Sequence, residues 1–216
     1  MDTANIAEIE EAASWGVLSG VTTNPTLYAR EGGRLADFHD HIVRICEIVD
    51  GPVSAETVGL ARDEIVREGE ELAALHPNVV VKVPTMPEGL AATRVLAEKG
   101  IRVNMTLCFT VPQALLAARS GAAFISPFIG RFDDISEDGI EHLANVVTAV
   151  GNYDFGHDVE IIAASVRHPE HVLQAALIGA HIATVPMGVL TKCIKHPLTD
   201  RGLEAFLADW EKVKNS

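Results

Sequence analysis

Short apolar runs alternate with amphipathic stretches along the whole chain, and this alternation restricts the fold more than any single motif does. Apolar runs ending in polar or proline residues fall at 18–24, 52–56, 78–84, 101–106, 123–126, 159–164 and 181–185. Between them lie stretches with helical spacing of apolar residues: 6–15, 35–49, 61–75, 88–99, 111–120, a helix opened by Ser136, and one from Pro169 to Gly179. Parallel strands need a long crossover, usually helical, so such alternation is the signature of a parallel sheet. Seven strands, with whatever precedes Asp2 as an eighth, predict a single-domain (β/α)8 TIM barrel over residues 1–216. Only Met1 precedes Asp2, so the first strand is expected to be almost absent.

The sharpest local anomaly is in Asn78-Val79-Val80-Val81-Lys82-Val83-Pro84. A β-branched run bounded by prolines fits a strand buried on both faces. A lysine there must lose its hydration, and burial favours the neutral amine, which is the usual route to a Schiff base with a carbonyl substrate. The structural alternative is that Lys82 snorkels from the strand end into solvent.

With 30 Asp+Glu against 17 Lys+Arg, the net charge of −13 disfavours nucleic acid and anionic membrane as partners. An anionic ligand therefore requires a small local pocket, for which arginine is the suited residue. Three widely spaced cysteines fit no metal motif and suit a reducing compartment, with each expected to be a small core residue. No apolar run approaches the ~20 residues of a membrane span and the acidic N-terminus has no signal pattern, so a cytoplasmic protein is expected.

Barrel active sites lie at the C-terminal ends of the strands. Those ends carry Asp2, Asn24, Glu56, Lys82, Thr106, Ser126 and Ser165 with Arg167, and Arg131 follows the fifth run. Two carboxylates, an amine, hydroxyls and two arginines form a coherent set for carbon–carbon chemistry on a phosphorylated carbonyl compound. Singly, each has an ordinary alternative. Asp2 or Thr3 can cap the first helix, Glu56 can face water, Asn24-Pro25 can be a turn, Thr106 or Ser165 can satisfy strand-end backbone, and the arginines can sit in surface ion pairs.

The motifs MDTAN, GVTTNPTL, GPVSAE, VVVKVPTMPEGL, RVNMTLCF, FISPFIGRFDD, EIIAASVRHP and KHPLTDRG, running from Met1 to about Trp210, closely resemble the small transaldolase family, which includes fructose-6-phosphate aldolases. The resemblance implies that Lys82 forms the Schiff base with the ketose C2 and that Asp2 is the acid/base at the C4 hydroxyl. Glu56 and Thr106 would hold the water that shuttles protons. Asn24 and Ser126 would bind the dihydroxyacetone hydroxyls, and Arg131, Ser165 and Arg167 the phosphate. The aldolase branch tends to carry Gln at the position of Glu56 and Tyr at that of Phe128, so Glu56 with Phe128 resembles the transaldolase side. A phenyl ring cannot protonate the enamine. The implied reaction moves a dihydroxyacetone unit from fructose 6-phosphate or sedoheptulose 7-phosphate to an aldose phosphate. The alternatives are an aldolase releasing dihydroxyacetone and a non-catalytic phosphosugar-binding barrel. Thr85-Met86 departs from the family's usual Met-Thr or Val-Thr.

No organic cofactor is expected, since the lysine imine is itself an electron sink. No metal is expected either: His168-Pro169-Glu170-His171 places two histidines at a helix start, but no third ligand follows at a diagnostic spacing, and the pair is expected to open the helix. A C-terminal helix over about 200–214 carries Leu203, Phe206, Leu207, Trp210 and Val213 as one apolar stripe. In similar proteins such a helix reaches a neighbouring subunit, which implies a ring-shaped homo-oligomer, with a decamer as the size suggested.

Overall fold

The computed structural model describes residues 1–215. Seven strands form one curled, wholly parallel sheet in sequence order: β1 Val21–Thr22, β2 Val53–Glu56, β3 Val79–Pro84, β4 Val103–Cys108, β5 Phe124–Pro127, β6 Glu160–Ala163 and β7 Ile182–Ala183. Eleven α-helices accompany them among the described residues, consistent with a barrel-like TIM fold. None of these helices is long and apolar enough to cross a membrane.

The strand sequences explain the curl. In β3, Val79, Val81 and Val83 join a large apolar cluster with residues such as Ile65, Leu96 and Met105 from neighbouring elements, whereas Val80 belongs to a separate small cluster with Phe124 and Ile162. Successive side chains of a strand point to opposite faces. One face of the sheet therefore packs on the helices, and the other, carrying Val80, Lys82, Asn104, Phe124, Ser126 and Ile162, lines the interior. Val80, Phe124 and Ile162 form a small apolar layer on this inner face.

Residues 1–3 hold the sheet together at its open side. Thr22 donates its N–H to the Met1 carbonyl at 2.8 Å, Thr3 donates to the Thr22 carbonyl at 3.2 Å, and Asp2 donates to the Val185 carbonyl at 3.0 Å. The segment is as short as expected, a single parallel bridge between Asp2 and Thr22, yet its backbone is tied on both sides.

Helix ends follow their sequence signals. Asn5, Asn24, Thr110 and Asp138 cap with their side chains, and prolines open the helices Pro25–Arg30, Pro87–Glu98 and Pro169–Ile178. The first helix is thus capped by Asn5, not by Asp2 or Thr3. Three expectations are corrected. Ser136 does not open a helix: its φ of 64° is left-handed, and the helix Gly139–Gly151 begins after Asp138, whose carboxylate accepts from the N–H groups of Ile140 and Glu141. Cys193 is exposed, unlike the buried Cys46 and Cys108. The C-terminal helix starts earlier than expected, as Pro197–Lys214, and has no buried residue.

Gly89 sits where the helix after β3 meets the strand end, and a Cβ there would lie 2.1 Å from the Pro84 carbonyl oxygen. Gly89→Ala is expected to cost about 2 kcal/mol, lowering the melting temperature by roughly 4–8 °C in a thermal denaturation experiment.

Candidate active site

All ten side chains singled out in the sequence line one cavity of about 400 Å³ at the C-terminal ends of the strands. Their arrangement follows from strand register. Glu56 on β2 pairs in register with Lys82 on β3, and Lys82 with Asn104 on β4, so three polar side chains stand at one level. Lys82 is 5% exposed, and its Nζ lies 3.0 Å from Glu56 Oε2 and 3.0 Å from the Thr23 carbonyl oxygen. It does not snorkel into solvent, and Glu56 does not face water. A buried ammonium is tolerated only with such partners.

Beside the pair, Asn104 donates to Ser54 Oγ at 3.1 Å and accepts from Ser126 Oγ at 2.7 Å. Ser126 spends its proton on Asn104 and keeps its lone pairs for a hydroxyl in the cavity. Thr106 Oγ1 is buried and has no hydrogen-bond partner among the described residues. Such an orphaned hydroxyl facing a polar cavity is suited to a ligand or water. Thr106 does not serve the strand end through this side chain; its carbonyl accepts from the Thr85 hydroxyl at 2.7 Å.

Asp2 is partly buried, and its Oδ1 accepts from Thr22 Oγ1 at 2.8 Å. Thr22 has one hydroxyl proton, so at 2.6 Å from Thr184 Oγ1 it must accept there, which gives a chain from Thr184 through Thr22 to Asp2. Burial pushes the Asp2 carboxyl above the usual carboxylate range, against the opposing pull of Lys82 and the Thr22 hydrogen bond. A carboxyl raised in this way is better matched to proton exchange near neutral pH.

The other side of the cavity is built from loops. Asn24 Oδ1 caps the helix Pro25–Arg30 by accepting from Leu27 N–H at 2.9 Å, which leaves its amide nitrogen for a ligand. Phe128 bridges in parallel to Ala164 and packs edge-on to Phe109 at 5.5 Å, so no hydroxyl stands at this point of the wall. Leu107 and Ser165 line the cavity with left-handed φ of 53° and 61°. Such strain in non-glycine residues clusters at functional sites. Arg167 pairs with Asp134 at 3.0 Å, whereas Arg131, on the short helix Gly130–Asp133, has no ion-pair partner among the described residues. The surface ion-pair alternative thus holds for Arg167 as far as Asp134, yet both arginines still line the cavity.

Sequence reasoning missed Thr22, Thr184, Ser54 and Asn104, which support the candidate residues. It also missed the third partner of the two histidines. Ligating atoms of Asp133, His168 and His171 lie within 4.8 Å of one another. Arg167 donates its backbone N–H to His171 Nδ1 at 3.2 Å, so in the neutral ring the proton is on Nε2, which lies 2.9 Å from Asp133 Oδ2. Burial, and then His168, hold His171 below the usual imidazole range. A metal on Nε2 would have to displace that proton, so the trio is better described as a hydrogen-bonded clasp.

The fold and cavity define a barrel-like α/β protein whose strand ends present an amine paired with a carboxylate, a second carboxylate of raised pKa and two arginines. Its family is the transaldolases and fructose-6-phosphate aldolases, to which the chain belongs: the family model described as Transaldolase/Fructose-6-phosphate aldolase matches residues 1–216. The chain is 55% identical over 215 residues to a probable transaldolase of Moorella thermoacetica, covering 100% of this chain and 98% of that one. It is 56% identical over 220 residues to a probable transaldolase of Thermus thermophilus, covering 99% and 98%. Among solved structures, thiamine phosphate pyrophosphorylase from Pyrococcus furiosus superposes with a TM-score of 0.58 at 13% identity, over 84% of this chain and 78% of that one, a likeness of fold alone.

Because the folded Asp2 carboxyl is raised, its contribution to stability is complete below the ordinary carboxylate pKa and is lost as pH rises through the raised value. Asp2→Asn, which cannot ionise, is expected to melt above wild type at pH 7. Melting curves from pH 3 to 8 should show that advantage shrinking toward acid pH.

Proposed function

We propose that the chain is a transaldolase, moving a dihydroxyacetone unit from a ketose phosphate such as fructose 6-phosphate or sedoheptulose 7-phosphate to an aldose phosphate. The observation that carries the reading is the buried Lys82 amine held against Glu56 at the floor of a polar cavity. On this reading the barrel is one eight-stranded domain, with residues 1–3 as the first strand, and it works in the cytoplasm without an organic cofactor or metal.

Glu56 accepts a proton from Lys82 Nζ, and the freed amine attacks the ketose C2. Glu56 and Thr106 hold the water that is released as the carbinolamine becomes a protonated imine. Asp2 removes the C4 hydroxyl proton, the C3–C4 bond breaks, and its electron pair moves into the imine to give an enamine while an aldose phosphate leaves. Asn24 and Ser126 hydrogen-bond the hydroxyls of the retained three-carbon unit. Arg131, Ser165 and Arg167 hold the phosphate through charge-assisted bonds. The enamine then attacks the aldehyde carbon of the acceptor, Asp2 returns its proton to the new alkoxide, and hydrolysis of the imine restores Lys82. Phe128 supports transfer over release, because its phenyl ring carries no hydroxyl to protonate the enamine.

Borohydride reduction in the presence of fructose 6-phosphate, followed by peptide mass mapping, is expected to give an adduct on the Lys82 peptide that is absent from Lys82→Arg. No adduct would remove both enzymatic readings and leave a binding barrel. Given an adduct, dihydroxyacetone release without acceptor should be far slower than transfer; release as fast as transfer would select the aldolase.

The exposed stripe of Leu203, Phe206, Leu207 and Trp210, at 57–75% exposure, supports docking onto a second copy of the chain. At micromolar concentration the protein should sediment as an oligomer, and Phe206→Glu with Trp210→Glu should reduce its size. A wild-type monomer would rule this out.

A further inference from the structure

The two arginines on the anion side of the cavity come from separate segments. Arg131 rides on the helix Gly130–Asp133 after β5, and Arg167 stands in the turn after β6. To hold one anion together, the two segments must be fixed relative to one another.

The groups that fix them are specific. His171, on the helix after the turn, is 3% exposed, and its Nδ1 accepts the backbone N–H of Arg167. A backbone donor leaves no ambiguity about which ring nitrogen accepts, so Nε2 carries the proton and donates to Asp133 Oδ2, on the helix that bears Arg131. Gly130 adds a backbone bond to the Ser165 carbonyl at 3.1 Å, and a Cβ at Gly130 would fall 2.3 Å from that oxygen. The two segments are thus in direct contact, and the buried His171 side chain binds both.

We infer that Asp133 and His171 are positioning residues: a clasp running from Asp133 through the buried His171 ring to the Arg167 backbone sets the spacing of the Arg131 and Arg167 guanidinium groups for a phosphate monoester. This rests on the phosphate reading of those arginines. The Arg167–Asp134 pair, 3.0 Å apart and half exposed, is a second link between the same two segments. The clasp touches neither Lys82 nor Asp2, so it governs affinity for the phosphate and not the carbon–carbon step.

The test compares His171→Gln, which keeps a donor toward Asp133 but has no atom at the Nδ1 position to accept the Arg167 N–H, with Asp133→Ala and Asp133→Asn, at a site exposed enough for both to fold. For His171→Gln and Asp133→Ala, KM for fructose 6-phosphate and the dissociation constant of inorganic phosphate are expected to rise about fivefold. Their kcat should change less than about twofold, the scatter expected of interactions outside the transition state, and KM for unphosphorylated fructose should be unchanged. Asp133→Asn, whose amide oxygen still accepts from Nε2–H, should recover most of the affinity. Unchanged phosphate affinity in both disruptive variants, or an equal loss with fructose and fructose 6-phosphate, would overturn the inference. A wild-type chain that binds no inorganic phosphate would overturn it as well. Absence of the Lys82 adduct in wild type would instead remove the proposed reaction, and the clasp would stand or fall on the phosphate constants alone.

Discussion

An ammonium and a carboxylate 3.0 Å apart, almost out of reach of solvent, are the contact around which the cavity is built. Desolvating either charge costs several kcal/mol, and the pair is tolerable only where geometry and further hydrogen bonds compensate. Parallel register supplies the geometry by setting Glu56 and Lys82 at one level on adjacent strands, and the Thr23 carbonyl supplies the further bond. The apolar side chains of Val80, Phe124 and Ile162 pack together inside the sheet, on the face that carries Lys82. Removing Glu56 alone would strand a buried charge, which is costlier than never having built the pair.

The second carboxylate stands on quite different support. Lys82 lies within a six-residue strand paired on both sides, whereas Asp2 belongs to a segment held by three backbone bonds to Thr22 and Val185. What compensates is the hydroxyl chain from Thr184 through Thr22, which fixes one oxygen of the carboxylate from the strands on either side. The same surroundings that orient Asp2 also desolvate it, so position and raised pKa have one origin.

The strands were legible because the requirement that produced them is local. A β-branched run such as Val79-Val80-Val81 has no other economical conformation between two prolines, and the residues at the run ends fall in the cavity because parallel strands all point the same way. What escaped notice depends on pairing between distant segments. Asn104 looks like an ordinary strand residue until its neighbours prove to be Ser54 and Ser126. The pair His168 and His171 gave no hint of Asp133, because their partner comes from the previous βα unit. The helices Pro25–Arg30, Gly130–Asp133 and Met187–Ile194 are too short for a hydrophobic period to show, and Ser136 misled because a Ser-Glu-Asp sequence resembles a helix start, whereas its backbone is left-handed and local bonds from Ser136 N–H to the Asp133 carbonyl and from Glu137 N–H to the Phe132 carbonyl end the preceding helix there.

The cavity accordingly divides into two halves of unequal stiffness. Lys82, Glu56, Thr106 and Ser126 stand on β2 to β5, whose ladders leave little freedom, and Asn104 and Ser54, which support Ser126, are strand residues too. The arginines and Ser165 stand on loops after β5 and β6, where a strained φ and hydrogen bonds between segments replace the ladder. Bond-making needs reacting groups held within a fraction of an ångström, which strands provide; holding a phosphate monoester needs charge at the right spacing, which a clasped pair of loops can provide. A change of the anion recognised can then arise in the loops while the amine and its carboxylate keep their places on β2 and β3, because the bonds from His171 and Gly130 that join the two loop segments involve neither of those strands.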